Sequence, residues 1–214
     1  MIQRVLFALA VSLALAAPAR AADELQLLIN PSVTANLDER TSLRLETTHR
    51  FRPEPGADLF SARLWINRKV AQGVTASAGI ERRKEGEVRE TRLLQQVAYP
   101  LAGPIQARTR IEQRFRSNDT RTAWRLRQRL GASFPLSDRD NAWRFAVNAE
   151  TTFVLRAGRP GAQTGLTGLR GFAGFEKKFS GLDLSLGYVR LQSVRRNAPD
   201  LVGHAPFIGL GFTL

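Results

Sequence analysis

Polar and apolar residues alternate along most of this chain. Between Ile105 and Arg116, the residues Ile105, Ala107, Thr109, Ile111, Gln113 and Phe115 interleave with Gln106, Arg108, Arg110, Glu112, Arg114 and Arg116, so one face is mostly apolar and the other ionic. The pattern returns in Trp124, Leu126, Leu130 and Phe134 against Arg125, Arg127 and Arg129. It returns again in Trp143, Phe145, Val147, Phe153 and Leu155 against Arg144, Asn148 and Glu150. A period of two belongs to a β-strand, whose successive side chains point to opposite faces. From Thr41 onward the chain divides into ten such segments, at 41–52, 59–69, 73–83, 91–101, 104–116, 121–136, 141–156, 165–179, 182–195 and 203–214, separated by Gly, Pro, Asp and Asn clusters. Each is near the ~9–11 residues with which a tilted strand crosses a bilayer.

Alternation alone does not separate a soluble sandwich from a membrane barrel, because both bury one face of each strand. Connection lengths favour the barrel: 71–73, 102–103, 137–141 and 180–181 are tight, while 53–58, 84–90, 156–164 and 196–202 are longer and rich in Gly, Pro and charge. Outer-membrane barrels have short periplasmic turns and longer outer loops. The last segment adds Ile208, Leu210, Phe212 and Leu214 at every second position, the form of a terminal strand read by the barrel-insertion machinery. Trp124, Trp143, Tyr99 and Tyr188 fall near segment ends, where aromatic girdles sit, although core packing places aromatics there too. The expected fold is all-β, a single antiparallel transmembrane barrel of about ten strands, with twelve as the alternative. An even count follows if both ends of the barrel chain lie in the periplasm. Residues 22–40, interrupted by Pro31, are read as a periplasmic or lumenal lead-in, and 41–214 as the barrel.

Ahead of these segments, Met1 to Arg4 precede an apolar stretch, Val5 to Ala17, and then the small-x-small triplet Ala19-Arg20-Ala21. The stretch is about 13 residues, short of the ~20 of a spanning helix, so residues 1–21 are read as a cleaved signal peptide. Export and barrel together predict the bacterial outer membrane. A formal charge of +13 ordinarily suggests nucleic acid, but an exported chain argues against that partner. With no cysteine there is no disulfide framework and no thiolate site. Two histidines are too few for a three-His zinc centre, and no metal or cofactor is expected.

The charge is instead explained by the ionic face: Arg44, Arg50, Arg63, Arg92, Arg108, Arg110, Arg114, Arg125, Arg127, Arg129, Arg144 and Arg170, with Glu46, Glu81, Glu112, Glu150 and Glu176. An Arg facing lipid costs about 2–4 kcal/mol at the bilayer midplane, so this face must line the lumen. Two outcomes stay open. The groups interlock into a salt-bridge network that fills the barrel, or the excess arginine makes a narrow anion-preferring passage. Either predicts that Glu112 and Glu150 each meet more than one Arg.

His49 and His204 share the apolar parity of their strands and lie near the outer ends. Direct closure of ten strands brings them to one seam at headgroup height, where imidazoles contact phosphate. A lipid hydrolase is the competing class, needing a Ser beside a His. Ser61 has lumenal parity, so no catalytic residue is assigned and an enzyme is not expected. Basic loop bases at Arg82-Arg83-Lys84, Arg156, Arg159 and Arg195-Arg196 suit lipopolysaccharide phosphates.

The segments Glu90-Thr91-Arg92-Leu93-Leu94-Gln95-Gln96, Arg110-Ile111-Glu112-Gln113-Arg114-Phe115 and Arg125-Leu126-Arg127 resemble domain-of-unknown-function family 2490, as do Asn148-Ala149-Glu150, Leu186-Gly187-Tyr188 and His204. The resemblance runs through most of the chain in order. It implies a Gram-negative outer-membrane barrel and supplies no activity. The functional expectation is a narrow anion-preferring pore, with a non-conducting structural or lipopolysaccharide-interacting barrel as the alternative. Membrane lipid, lipopolysaccharide and the insertion machinery are the expected partners, and no obligate protein partner is implied.

Overall fold

The computed structural model describes residues 22–53 and 57–214, and every regular element in them is a β-strand. The segment read as a signal peptide lies outside the described residues. The strands are β1 (Ala22–Leu25), β2 (Leu27–Asn36), β3 (Thr41–Phe51), β4 (Leu59–Ala71), β5 (Val74–Glu85), β6 (Val88–Ala102), β7 (Ile105–Arg116), β8 (Ala123–Pro135), β9 (Arg144–Arg156), β10 (Gly165–Phe179), β11 (Leu182–Ser193) and β12 (Leu201–Thr213). Each of the ten segments expected after Thr41 is a strand. From β2 to β12 each strand lies antiparallel to the next, and β12 then pairs with β2, which closes an eleven-stranded barrel. Closure leaves no open edge in the barrel, the condition for strands to cross a bilayer.

The closing pair departs from expectation. Residues 22–40 are not a lead-in: β2 lies between β3 and β12, and it runs parallel to β12, with Leu28 opposite Phe207 and Thr34 opposite Thr213. The reason is parity. An eleventh strand antiparallel to β3 has the same direction as β12. β1 continues the same register beyond Gln26, placing Leu25 opposite His204, while the Gln26 N–H donates to the His204 carbonyl at 2.7 Å. β12 therefore has β1 and β2 along one edge almost as a single strand.

Pro31 does not break β2, because its defect is covered by its neighbour. The ladder between β2 and β3 pairs Ile29 with His49 and resumes at Ser32 with Glu46, omitting Asn30 and Pro31. Proline has no N–H for the Thr47 carbonyl opposite. Asn30 Nδ2 supplies one, donating to the Thr47 carbonyl and also to Thr48 Oγ1 at 3.0 Å. Asn30→Ala strands that carbonyl and is expected to lower stability by about 1–3 kcal/mol, read from urea unfolding in vesicles. Asn30→Asp, which can accept but not donate, should behave no better than the alanine.

The connections 37–40, 72–73, 103–104, 136–143 and 180–181 gather at one end of the barrel, the turn end. The end of β3, the start of β4 and the connections 86–87, 117–122, 157–164 and 194–200 gather at the other, the loop end. The asymmetry is present, with two corrections. The loop expected at 84–90 is a two-residue turn, made by Gly86 at φ +56°, a left-handed conformation that glycine adopts without steric cost. The connection at 136–143, expected to be tight, is as long as the loops opposite.

Candidate functional site

Strand parity divides the side chains as the alternation requires. Outward stand Leu45, Leu64, Ile80, Leu93, Ile111 and Phe153, all exposed. Inward stand all seventeen arginines and glutamates assigned to the ionic face, each on the inward parity of its strand. They lie on the wall made by β3 to β10.

Ion pairs gather most of this wall into two adjacent clusters, one around Glu46, Glu81 and Glu90 and one around Glu112 and Glu150, which together make up the network. Glu46 accepts from Arg63 and lies 3.7 Å from Arg44, while Arg63 Nη2 reaches Glu81 at 3.0 Å. Glu81 meets Arg92 at 3.5 Å, and Arg92 grips Glu90 through Nε and Nη2, both at 2.9 Å. Glu90 also accepts from Arg114, whose Nη2 lies at 3.1 Å, and has Arg116 at 3.9 Å. Glu112 takes both donors of Arg125, Nε at 2.8 Å, then Arg127 at 3.2 Å, with Arg110 at 3.8 Å. Glu150 accepts from Arg127 on Oε1 and Arg108 on Oε2. Both central carboxylates thus meet more than one guanidinium. Nearer the loop end Glu85 gathers Arg50 at 3.0 Å, Arg52 at 2.7 Å and Arg83.

The centre of the network is sealed. Glu112 has no solvent-accessible surface, and Glu81, Glu90, Arg92 and their apolar neighbour Leu94 are each at or below 3%. Charges so far from water persist only when paired and hydrogen-bonded, as these are. Trp65, not among the expected girdle aromatics, faces inward instead and is stacked under Arg110 at 5.0 Å and Arg63 at 5.7 Å. Its ring lies on Gly79, where a Cβ would approach Trp65 Cε3 to 2.6 Å.

The opposite wall is apolar. Leu28, Ala146, Phe172, Val189 and Ala205 form a buried cluster joined by Leu191 and Phe207, and Phe172 meets Phe207 edge-on at 5.4 Å. Phe172 lies over Gly187, whose absent Cβ would come within 2.7 Å of the ring. The alternation missed this wall because its inward positions, Phe172, Val189, Ala205 and Phe207, are themselves apolar, so polarity does not mark the lumen side there. Glu90 and Glu85 were also missed, although Glu90 stands two residues from Arg92 and shares its face.

Toward the turn end the lumen widens into a cavity of about 860 Å³, entered past Arg139 and Lys178. Arg108, Arg110, Arg127, Arg129 and Arg170 line one side of it, and Leu28, Phe172 and Phe207 another. Arg144, near the mouth, donates to Ser133 Oγ at 2.8 Å and to its carbonyl at 2.9 Å. Arg110 is held by Gln96 Oε1 at 2.8 and 3.0 Å.

The two histidines do not share a seam. His49 faces outward between Phe60, at 4.6 Å, and Phe51, at 6.1 Å, and is paired with Ile29 of β2. His204, also outward, pairs across to Leu25 and Arg190 and is bonded to the Tyr188 hydroxyl. The inserted β2 and an offset along it hold them apart. Ser61 is buried in the lumen, away from either ring.

No curated protein and no solved structure matches the chain. The model of a family described as "Protein of unknown function (DUF2490)" matches residues 25–202, a span that takes in β2 to β11 and the whole ionic wall of the lumen. The chain belongs to that family.

Proposed function

We propose that the protein is an integral barrel of a bacterial outer membrane whose lumen is closed, a structural and lipopolysaccharide-contacting barrel and not an open pore. The observation that carries this reading is the burial of the lumen side chains on both walls, Glu81, Glu90, Arg92, Glu112 and Leu94 on the ionic one and Val189 and Ala205 on the apolar one. An ion crossing there must displace paired guanidiniums or apolar side chains. Rings of arginine ease anion passage only where they line open water.

The outer surface supports the membrane location. Exposed apolar side chains cover its middle, an area far beyond the few hundred square ångströms that a soluble surface tolerates. Outward cations stand at its borders: Arg82, Lys84 and Arg89 toward the loop end, Arg68 and Lys177 toward the turn end. Such positions meet headgroup phosphates, which favours contact with lipopolysaccharide at the loop end. No catalytic role is proposed: Ser61 faces the lumen, whereas both histidines face outward.

Planar-bilayer recording of the refolded chain tests the closed lumen. The expected trace has no single-channel steps. Steps with anion selectivity, reduced by Arg110→Glu, would overturn it in favour of the narrow pore. Failure of the chain to insert into vesicles would remove the membrane reading itself.

A further inference from the structure

The cavity at the turn end carries guanidinium charge that the network does not use. Both oxygens of Glu150 are occupied, by Arg127 and by Arg108. Two further arginines flank Glu150 directly across the sheet, Arg129 on β8 and Arg170 on β10. Neither makes a hydrogen bond or ion pair with any other described side chain. Both line the cavity and are half-buried. In addition, Arg108 stands opposite Arg129, and Arg110 opposite Arg127, in the register of β7 and β8. Like charges directly opposite destabilise a sheet pair, and of the carboxylates nearby Glu112 and Glu150 are already shared, which leaves Glu176, toward the turn end, as the one lumen carboxylate beside Arg129 without an ion pair among the described residues. The wall therefore holds an excess of positive charge facing a space large enough for a small molecule.

We infer that this cavity is a binding site for a phosphate-type oxyanion carried on a compact apolar body, with Arg129 and Arg170 holding the anion. Guanidiniums grip phosphate oxygens through paired N–H groups and keep their charge when dehydrated. A phosphate lodged between the two supplies the acceptors that Glu150 cannot spare and neutralises the repulsion along the Arg108 and Arg129 row. The far side of the same cavity is the edge-on pair Phe172 and Phe207 with Leu28, which suits an apolar group and not a second charge. Across the whole lining, cations outnumber carboxylates about two to one, which draws anions in past Arg139 and Lys178. A soluble phosphate monoester and a phospholipid headgroup share this chemistry. The inference gives the closed lumen a ligand and rests on that reading only for the cavity's blind end. Binding to detergent-refolded protein tests it independently of conductance or membrane location.

The test is calorimetric titration of the full chain, refolded in an uncharged detergent, with phenyl phosphate, inorganic phosphate and, at matched ionic strength, sodium chloride. Phenyl phosphate is expected to bind saturably, inorganic phosphate at least tenfold more weakly, and chloride without saturation. Arg129→Gln combined with Arg170→Gln should weaken phenyl phosphate at least tenfold, while Arg121→Gln, exposed on the 117–122 connection and outside the cavity, should not. Neither lumen arginine makes a hydrogen bond or ion pair with a described side chain, and each also faces like charge, so their replacement is expected to leave the apo barrel as heat-stable as the wild type. If the double variant does not fold, the same comparison is made with Arg170→Gln alone. Micelles doped with phosphatidic acid separate the sources: competition with phenyl phosphate assigns the site to a lipid headgroup, and its absence assigns it to a soluble ester. No saturable binding, a chloride titration indistinguishable from phosphate, or unchanged affinity in the variants would overturn the inference.

Discussion

Replacing Glu112 by Gln is expected to destabilise the folded barrel by about 3–5 kcal/mol, a large share of the ~5–15 kcal/mol that ordinarily holds a protein folded. Glu112 is fully buried and neutralises the guanidiniums of Arg125 and Arg127, with Arg110 close by. Glutamine keeps the shape and can accept from one of them. Arg127 keeps Glu150, but the negative charge that Arg125 and Arg110 share is gone from the sealed layer, where removing one partner of an ion pair costs far more than the pair is worth as a whole. Among the described residues Arg125 has Glu112 as its only ion-pair partner, so combining Glu112→Gln with Arg125→Met should recover at least half of the loss. That coupling separates the charge effect from a change of shape. The measurement is the urea midpoint of the refolded protein in vesicles, followed by tryptophan fluorescence. A Glu112→Gln midpoint within error of the wild type would show that the network does not hold the lumen together.

Much of this arrangement was legible in the residues, and the boundary of legibility has a physical cause. Parity alone puts Arg108, Arg110, Glu112 and Arg114 on one face, because a strand's side chains alternate whatever surrounds it. The lumen assignment then follows from the cost of arginine in lipid. Parity does not tell which arginine meets which glutamate, since that depends on register between strands. The difference between Arg127, paired twice, and Arg129, two residues on and unpaired, is invisible without it. Where both faces of a strand are apolar, as at Ala205, Phe207 and Ile208, alternation carries no signal. The second wall of the lumen stayed hidden for that reason. The eleventh strand was obscured by Pro31, whose missing donor argues against a strand until Asn30 is seen to replace it. The placing of His49 and His204 at one seam failed with it, as a consequence of the same residue.

Removing residues 22–36 gives the sharpest test of how the barrel closes. If those residues were a lead-in, the remaining chain would still hold all ten strands it needs, and β3 and β12 run in opposite directions and could in principle pair. The loss of β2 instead strips hydrogen-bond partners from two strands at once, along the register from Leu28 to Thr34 on the β12 side and from Leu27 to Asn36 on the β3 side. Each backbone group left unpaired in hydrocarbon costs several kcal/mol. Direct closure would have to narrow a barrel whose interior is already filled by the arginine network and by Phe172 and Phe207. Close-packed interiors do not absorb such a change without displaced side chains or cavities. It would also remove Leu28 from the apolar cluster and Ser32 from Arg44, which it meets at 3.1 Å. The truncated chain is therefore expected to show no heat-modifiable band and no protease-resistant core after refolding into vesicles, under conditions where the chain from Ala22 shows both. A folded 37–214 barrel would mean that ten strands suffice and that β2 is an accessory to the closure.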